Sequence, residues 1–305
     1  MTMDPAIKKI LKQVRRIDIR TRRLATDALA GRFHSVFRGR GMDFDEVREY
    51  VPGDEVRTID WNVTARAGHP FVKKYREERE LTILLAVDVS ASGDFGSAAH
   101  TKREIEAEIA CVLALSAVRN SDRVGLVLFS DQIEAFVPPR KGRQHVLRLV
   151  REVLSCQPQR RGTDVGRALE FIDAVTKRRA MVFVLSDFQS SGEDAATTTA
   201  TLRRALRRAR RRHDVVAVRV NDPRERQLTD LGLLTVEDAE TGEMIELDTG
   251  SARVRRRFAD AAVAQEAHLT QALRKEAIDS VRIDTSVPYL PALLELFRRR
   301  GGRRR

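Results

Sequence analysis

Cysteine is nearly absent from this sequence: 305 residues hold two, Cys111 and Cys156. That excludes a disulfide framework. Both lie in apolar helical patterns and read as buried small hydrophobes in a reducing compartment. Aromatic residues are sparse at 5%, with one tryptophan. The six histidines, His34, His69 and His145 among them, show no ligand spacing and read as structural. No G-x-S-x-G elbow occurs and no histidine is placed for a triad, so nucleophilic hydrolysis lacks its parts. No Walker-type phosphate loop occurs either, and Arg38-Gly39-Arg40-Gly41 is a poor imitation of one. Long apolar runs are missing too. The most apolar stretches, residues 83–87 and 180–185, are far too short to span a bilayer, and no N-terminal stretch resembles a signal peptide. The expectation is a soluble cytoplasmic protein, with a peripheral membrane position left open.

Charge, by contrast, is abundant. Charged residues make up 33% of the chain and the formal net charge is +12. The excess is local. Residues 8–23 carry eight Lys/Arg and one Asp, 203–212 carry seven Arg, and 298–305 carry six Arg. The rest of the chain is therefore net acidic. A uniformly basic protein would point to nucleic acid or anionic membrane; an acidic body with basic appendages points there less.

Residues 1–30 read as a basic amphipathic helix, with Ile7, Ile10, Leu11, Val14, Ile17 and Leu24 on one face. A helix packed on the main body is the plain expectation, and a membrane-surface or partner-binding helix the alternative. Residues 31–80 are rich in Gly, Arg and Asp and read as a small β-rich segment, with Trp61 as a packing anchor between subdomains. From residue 81 strands and helices alternate. Strands are expected at 82–87, 123–129, 132–137, 180–185, 214–220 and 281–283. Helices are expected at 98–118, 142–154, 165–176, 197–212 and 251–275. Residues 232–248 read as an inserted hairpin turning at Thr241-Gly242. This alternation predicts an α/β domain over 81–288, a doubly wound, mostly parallel sheet flanked by helices. Residues 289–305 supply a final helix and an Arg-rich tail, expected to be disordered beyond Phe297.

Asp88-Val89-Ser90-Ala91-Ser92 directly follows the first central strand. Ligands of doubly wound sheets sit beyond the carboxyl ends of strands at the switch point. One carboxylate and two hydroxyls at spacing two can aim at one point, a hard-oxygen set suited to Mg²⁺ or Mn²⁺. Thr163 precedes a helix, and Asp187 ends the second central strand. If those strands are neighbours, Asp88, Ser90, Ser92, Thr163 and Asp187 form one cluster. Asp164 reads as the N-cap of the helix after Thr163, and Asp94 as a loop residue.

These five positions resemble the metal-ion-dependent adhesion site of von Willebrand factor A-type domains. Upstream, Gly39-Arg40-Gly41, Phe44-Asp45-Glu46-Val47-Arg48-Glu49-Tyr50, Gly53-Asp54, Ile59-Asp60-Trp61 and residues 76–80 resemble the pattern of the domain of unknown function 58 family, which joins such a segment to a von Willebrand factor A-like domain. Pro138-Pro139 and Ser186-Asp187-Phe188 fit as well. Two departures stand out: relatives often carry N-terminal membrane helices, and often Met where this chain has Gly93.

The resemblance implies a divalent cation, Mg²⁺ foremost, whose open position accepts an acidic side chain of a protein partner. It also implies work as an adaptor beside a MoxR-type AAA+ ATPase in client assembly or remodelling, with no catalysis. Arg38, Arg40 and Arg48 are candidates either for partner contact or for pairing with acids of their own segment. Two other functions are open: nucleic-acid or anionic-membrane binding through the basic stretches, and a metal-dependent phosphohydrolase, against which the scarcity of carboxylates and the lack of a base weigh.

Overall fold

A computed structural model describes residues 12–18, 21, 42–77, 80–97, 99–189, 195–238 and 242–302. In chain order, a first hairpin pairs β1 (Met42–Glu49) antiparallel with β2 (Phe71–Glu77), with helix α1 (Trp61–Ala67) between them. The carboxylate of Asp60 caps α1 by accepting from the amides of Asn62 and Val63, and Gly68 ends it at φ 79°, a left-handed value that suits glycine. Trp61 is 66% exposed and does not anchor anything. It opens a two-turn helix beside a two-stranded sheet, which offers no second layer to cover it. The beginning of the expected β-rich segment, with Arg38 and Arg40, lies outside the described residues.

The main domain follows as β3 (Thr82–Asp88), α2 (Lys102–Arg119), β4 (Arg123–Phe129), β5 (Ile133–Arg140), α3 (Arg143–Ser155), α4 (Val165–Val175), β6 (Met181–Ser186), α5 (Ala195–Arg212), β7 (Asp214–Asn221), β8 (Leu233–Glu237), β9 (Met244–Asp248), α6 (Ala252–Lys275), β10 (Asp279–Asp284) and α7 (Leu290–Gly302). Six strands form one sheet in the order β10-β7-β6-β3-β4-β5, parallel except for the edge strand β5. β8 and β9 make the expected separate hairpin.

Strand alternation divides the core in two. Ile83, Leu85 and Val87 face the layer of α2, α3 and α7, while Leu84 and Ala86 face α4, α5 and α6. The central strands are buried on both faces, as their unbroken apolar runs predict. Each such side chain contributes roughly 1.5–3 kcal/mol by burial.

α2 is buried along nearly its whole length, charged residues included. The reason is a third layer. Helical residues 12–18 pack over it, with Val14 and Ile17 joining the core cluster, Gln13 Nε2 donating to Glu104 Oε1 (2.7 Å) and the Thr21 hydroxyl 3.3 Å from Cys111 Sγ. The Arg-rich end also differs from expectation. Arg298–Arg300 lie within α7, and Arg300 is buried because its guanidinium binds Asp214 at 2.5 Å, across the amino end of β7. Residues 303–305 lie outside the described residues.

Candidate metal centre

The sheet order makes β3 and β6 neighbours, and the chain leaves them toward opposite sides, from β3 to β4 and from β6 to β7. Asp88 and Ser186 end these two strands just beyond the pair Val87 and Leu185. The loops that follow converge. Asp88 Oδ2 accepts from the Ser186 hydroxyl (2.7 Å) and the Thr163 hydroxyl (3.2 Å), while its Oδ1 takes the amide of Ser90 (2.9 Å). The hydroxyls of Ser90 and Ser92 lie 3.1 Å apart, and Ser92 Oγ donates to Asp187 Oδ2 at 3.0 Å. All five predicted residues therefore meet at one place. Asp88, Ser90, Thr163 and Asp187 are buried, and Ser92 is half-buried.

Local geometry holds the loops. Arg103 donates from α2 to the carbonyls of Val89 (2.9 Å) and Ser90 (3.3 Å), and Ala91 N–H reaches the Arg161 carbonyl (3.2 Å). Asp164 caps α4 by accepting from Arg167 N–H, so it serves the helix as expected. Phe188 is held at φ 58°, directly after Asp187, with its amide on Ser186 Oγ. A non-glycine residue there signals a constrained backbone at the site's edge. Asp94 is exposed, as a loop residue should be, 3.3 Å from Arg103 Nε.

Three charged residues that the sequence did not single out complete the centre. Lys102, 1% exposed, donates from Nζ to Asp187 Oδ2 at 2.5 Å and also binds Glu225 Oε1. Glu225 is fixed in turn, its Oε2 accepting the amide of Asp222 (3.0 Å). Glu106 sits one turn after Lys102 on α2, 2% exposed, and its Oε2 has no hydrogen-bond partner among the described residues.

Asp88, Glu106 and Asp187 interact electrostatically with one another and with Lys102 and Arg103, and Lys102 also binds Glu225. Burial, and then the charge of Asp187, pushes Asp88 up to about 6. Burial, and then Asp88, holds Glu106 well above the carboxylate range. Burial alone would lower Lys102; Asp187 and Glu225 outweigh it and keep the ammonium charged. With Glu106 favoured in its uncharged form, Asp88, Asp187 and Glu225 still outnumber Lys102 and Arg103, which is what a cation site requires. The donors are two carboxylates and three hydroxyls, a set that fits a hard divalent ion. Among the described residues no group of three or more His, Cys, Asp or Glu forms a metal cluster, so any ion here would depend on hydroxyl and water oxygens.

Of the candidate partner residues, Arg48 makes a bidentate pair with Asp54 (2.8 and 2.7 Å) within its own segment. The arginine run on α5 is largely absorbed. Arg203 and Arg207 bind Glu276, Arg208 lies 3.4 Å from Asp173, and Arg212 caps the carbonyls of Asp173 and Thr176. Cys111 is buried, and Cys156 is half-buried just past α3.

Strand order, the single antiparallel edge and the placement of the loops define an α/β protein of von Willebrand factor A-like fold. The family described as "Protein of unknown function DUF58" matches residues 46–268, and the chain belongs to it. An uncharacterized protein of Mycobacterium tuberculosis is 31% identical over 297 residues, covering 96% of this chain and 91% of the relative. A shorter uncharacterized protein of Mycobacterium avium is 30% identical over 169 residues, covering 54% of this chain and 95% of its own. Solved structures of similar shape include the conserved hypothetical protein BatB of Bacteroides thetaiotaomicron (13% identity, 73% of this chain and 99% of that one, TM-score 0.44). A von Willebrand factor type A protein of Catenulispora acidiphila (14% identity, 87% and 51%, TM-score 0.37) is another.

Proposed function

We propose that the protein is a non-enzymatic, metal-dependent interaction module whose centre at Asp88, Ser90, Ser92, Thr163 and Asp187 captures an acidic side chain of a protein partner. The observation that carries this reading is the convergence of the five oxygen-bearing residues at the switch point, within an excess of buried negative charge. Asp88 and Asp187 would hold the ion together with the three hydroxyls, and Arg103 would keep the Ser90 loop in place. A bound Mg²⁺ or Mn²⁺ supplies incompletely neutralised positive charge, which attracts a carboxylate strongly where water is partly excluded. No His stands in the cluster to move protons, which favours binding over hydrolysis.

The partner fitting the family resemblance is a MoxR-type AAA+ ATPase, with the present chain as its adaptor toward a client. Among the described residues no helix is long and apolar enough to cross a membrane. The test is co-purification of the full chain with a co-expressed MoxR-type ATPase, in Mg²⁺ and in EDTA. Capture should need the metal and should fall at least about 100-fold in Asp88→Ala, whose lost ligand and hydrogen bonds dismantle the centre. Capture unchanged by EDTA, or by Asp88→Ala in a folded protein, would sink the reading.

One observation supports a second role. A recess of about 420 Å³ is lined by Arg179, Arg207, Arg210, Arg211 and Arg300, among acids that neutralise only part of it. Nucleic-acid binding there would weaken steeply with salt, and a gel shift insensitive to salt would remove it.

A further inference from the structure

Lys102 occupies a position that charge alone would assign to a metal. Its ammonium lies 2.5 Å from Asp187 Oδ2, the same oxygen that accepts from Ser92. It reaches that oxygen from inside the fold, on a helix that is buried on all sides, so solvent does not supply it. Its second contact, Glu225, is fixed by the capping box of residues 222–225, and Asp222 is itself held by Ser97 and Thr285. One end of the Lys102 contact is therefore rigid, while the other is shared with the candidate metal centre.

A place exists for the ammonium to go. Residues four apart on a helix are neighbours, so Glu106 lies beside Lys102 on the same face. Glu106 is buried, electrostatically coupled to Lys102, Asp88 and Asp187, and its Oε2 lacks a hydrogen-bond partner among the described residues. A buried carboxylate oxygen with no donor costs free energy unless some state of the protein satisfies it.

We propose that Lys102 is the resident cation of this centre, and that a divalent metal enters by displacing its ammonium from Asp187 toward Glu106, with Glu225 as the fixed pivot. The inference rests on the metal-binding reading given above and adds its regulation. The centre then has two states, one closed by lysine and one open to partners. Metal affinity is set by the competition between the ion and an internal ammonium rather than by the five ligands alone.

The test uses Mn²⁺ alone as the probe, with free ion followed by electron paramagnetic resonance on the full chain. Lys102→Met should tighten Mn²⁺ binding by at least about tenfold, because the competitor is gone. Glu106→Gln should weaken it by about tenfold, because the displaced ammonium then meets a neutral amide in place of a carboxylate. Lys102→Met orphans two carboxylates and can fail to fold. The double variant Lys102→Met with Glu225→Gln removes the cation together with its fixed acid, and should fold and bind more tightly than wild type. Equal binding in wild type and the double variant overturns the displacement and leaves the metal site intact. Binding in the double variant but not in wild type upholds the resident cation and defeats metal-dependent capture in the native protein. Binding in neither overturns both.

Discussion

At the carboxyl ends of β3 and β6, the buried carboxylates of Asp88, Glu106 and Asp187 and the half-buried one of Glu225 lie near Lys102 and Arg103, and Glu106 Oε2 has no donor among the described residues. At the amino ends of β7 and β10 the arithmetic reverses. Glu276 is gripped by both Arg203 and Arg207, and Arg300 spans Asp214 and Asp279. The contrast shows in the carboxylates themselves. Arg207, with Arg203 behind it, holds Glu276 down to about 2, whereas Asp88 is pushed up to about 6. The carboxylates of the arginine end are settled by partners within the chain. The acidic end keeps a buried carboxylate oxygen without a donor among the described residues, and such local conflict is where function is expected to sit.

The largest expected effect lies at the settled end. Arg300→Met leaves Asp214 and Asp279 without their guanidinium in a partly buried place. Breaking such a pair from one side should cost about 3 kcal/mol. Urea denaturation measures it, and a loss within about 0.5 kcal/mol would mean the arginine end is not held by this contact. Glu276→Gln should cost less, about 1–2 kcal/mol, because Arg207 is half exposed and water takes over part of its partnership. Its sign with pH is definite. A carboxylate held below its ordinary value stabilises the fold above pH 4.5 and loses that contribution as pH falls toward 2. Wild type should therefore lose stability over that window and the Gln variant should lose less of it.

Asp122 offers the opposite sign at the same end of the sheet. It is buried, accepts the amide of Leu81 at 2.8 Å, and is pushed up to about 7 by burial. Between about pH 4 and 7 the folded protein then holds a proton that the unfolded chain has released, so stability falls as pH rises. Asp122→Asn should remove this slope and stabilise the protein at pH 7 by about 1 kcal/mol. A thermal denaturation series across that range decides the matter, and an unchanged slope in the variant would show that Asp122 ionises normally.

The two ends also differed in how readable they were. Asp88, Ser90, Ser92, Thr163 and Asp187 could be picked out because each follows a strand or precedes a helix, and strand alternation fixes which loops meet. The buried strands were legible for the same reason: runs such as Thr82–Asp88 carry no charge before their last residue. Lys102, Glu106 and Glu225 were not legible. Lys-Arg-Glu-Ile-Glu at the start of α2 has the composition of a solvated first turn, with Thr101 as its cap, and nothing local says that residues 12–18 will cover its outer side. Trp61 failed in the other direction, since a lone large aromatic residue suggests a packed anchor while its two-stranded neighbourhood has no layer to receive it. Arg300 reads as part of a tail because its partners, Asp214 and Asp279, lie on other strands and come close only across the sheet, whereas Arg298 and Arg299 pair with Glu295 on their own helix.

The smallest effect is the sharpest test of the contrast, because its sign should be inverted. Neutralising an acid at the arginine end removes a partner; neutralising Glu106 removes a conflict. Its Oε2 has no donor to lose among the described residues, and burial already favours its uncharged form. Gln preserves its shape, so core packing around α2 is retained. Without added metal, Glu106→Gln should leave the urea midpoint unchanged or raise it, by no more than about 0.5 kcal/mol. The same substitution at Glu276 should lower it. A clear loss in Glu106→Gln under EDTA would mean that Glu106 already has a partner in the metal-free protein. The acidic end would then be as settled as the other, and its excess of carboxylates would no longer argue for a missing cation.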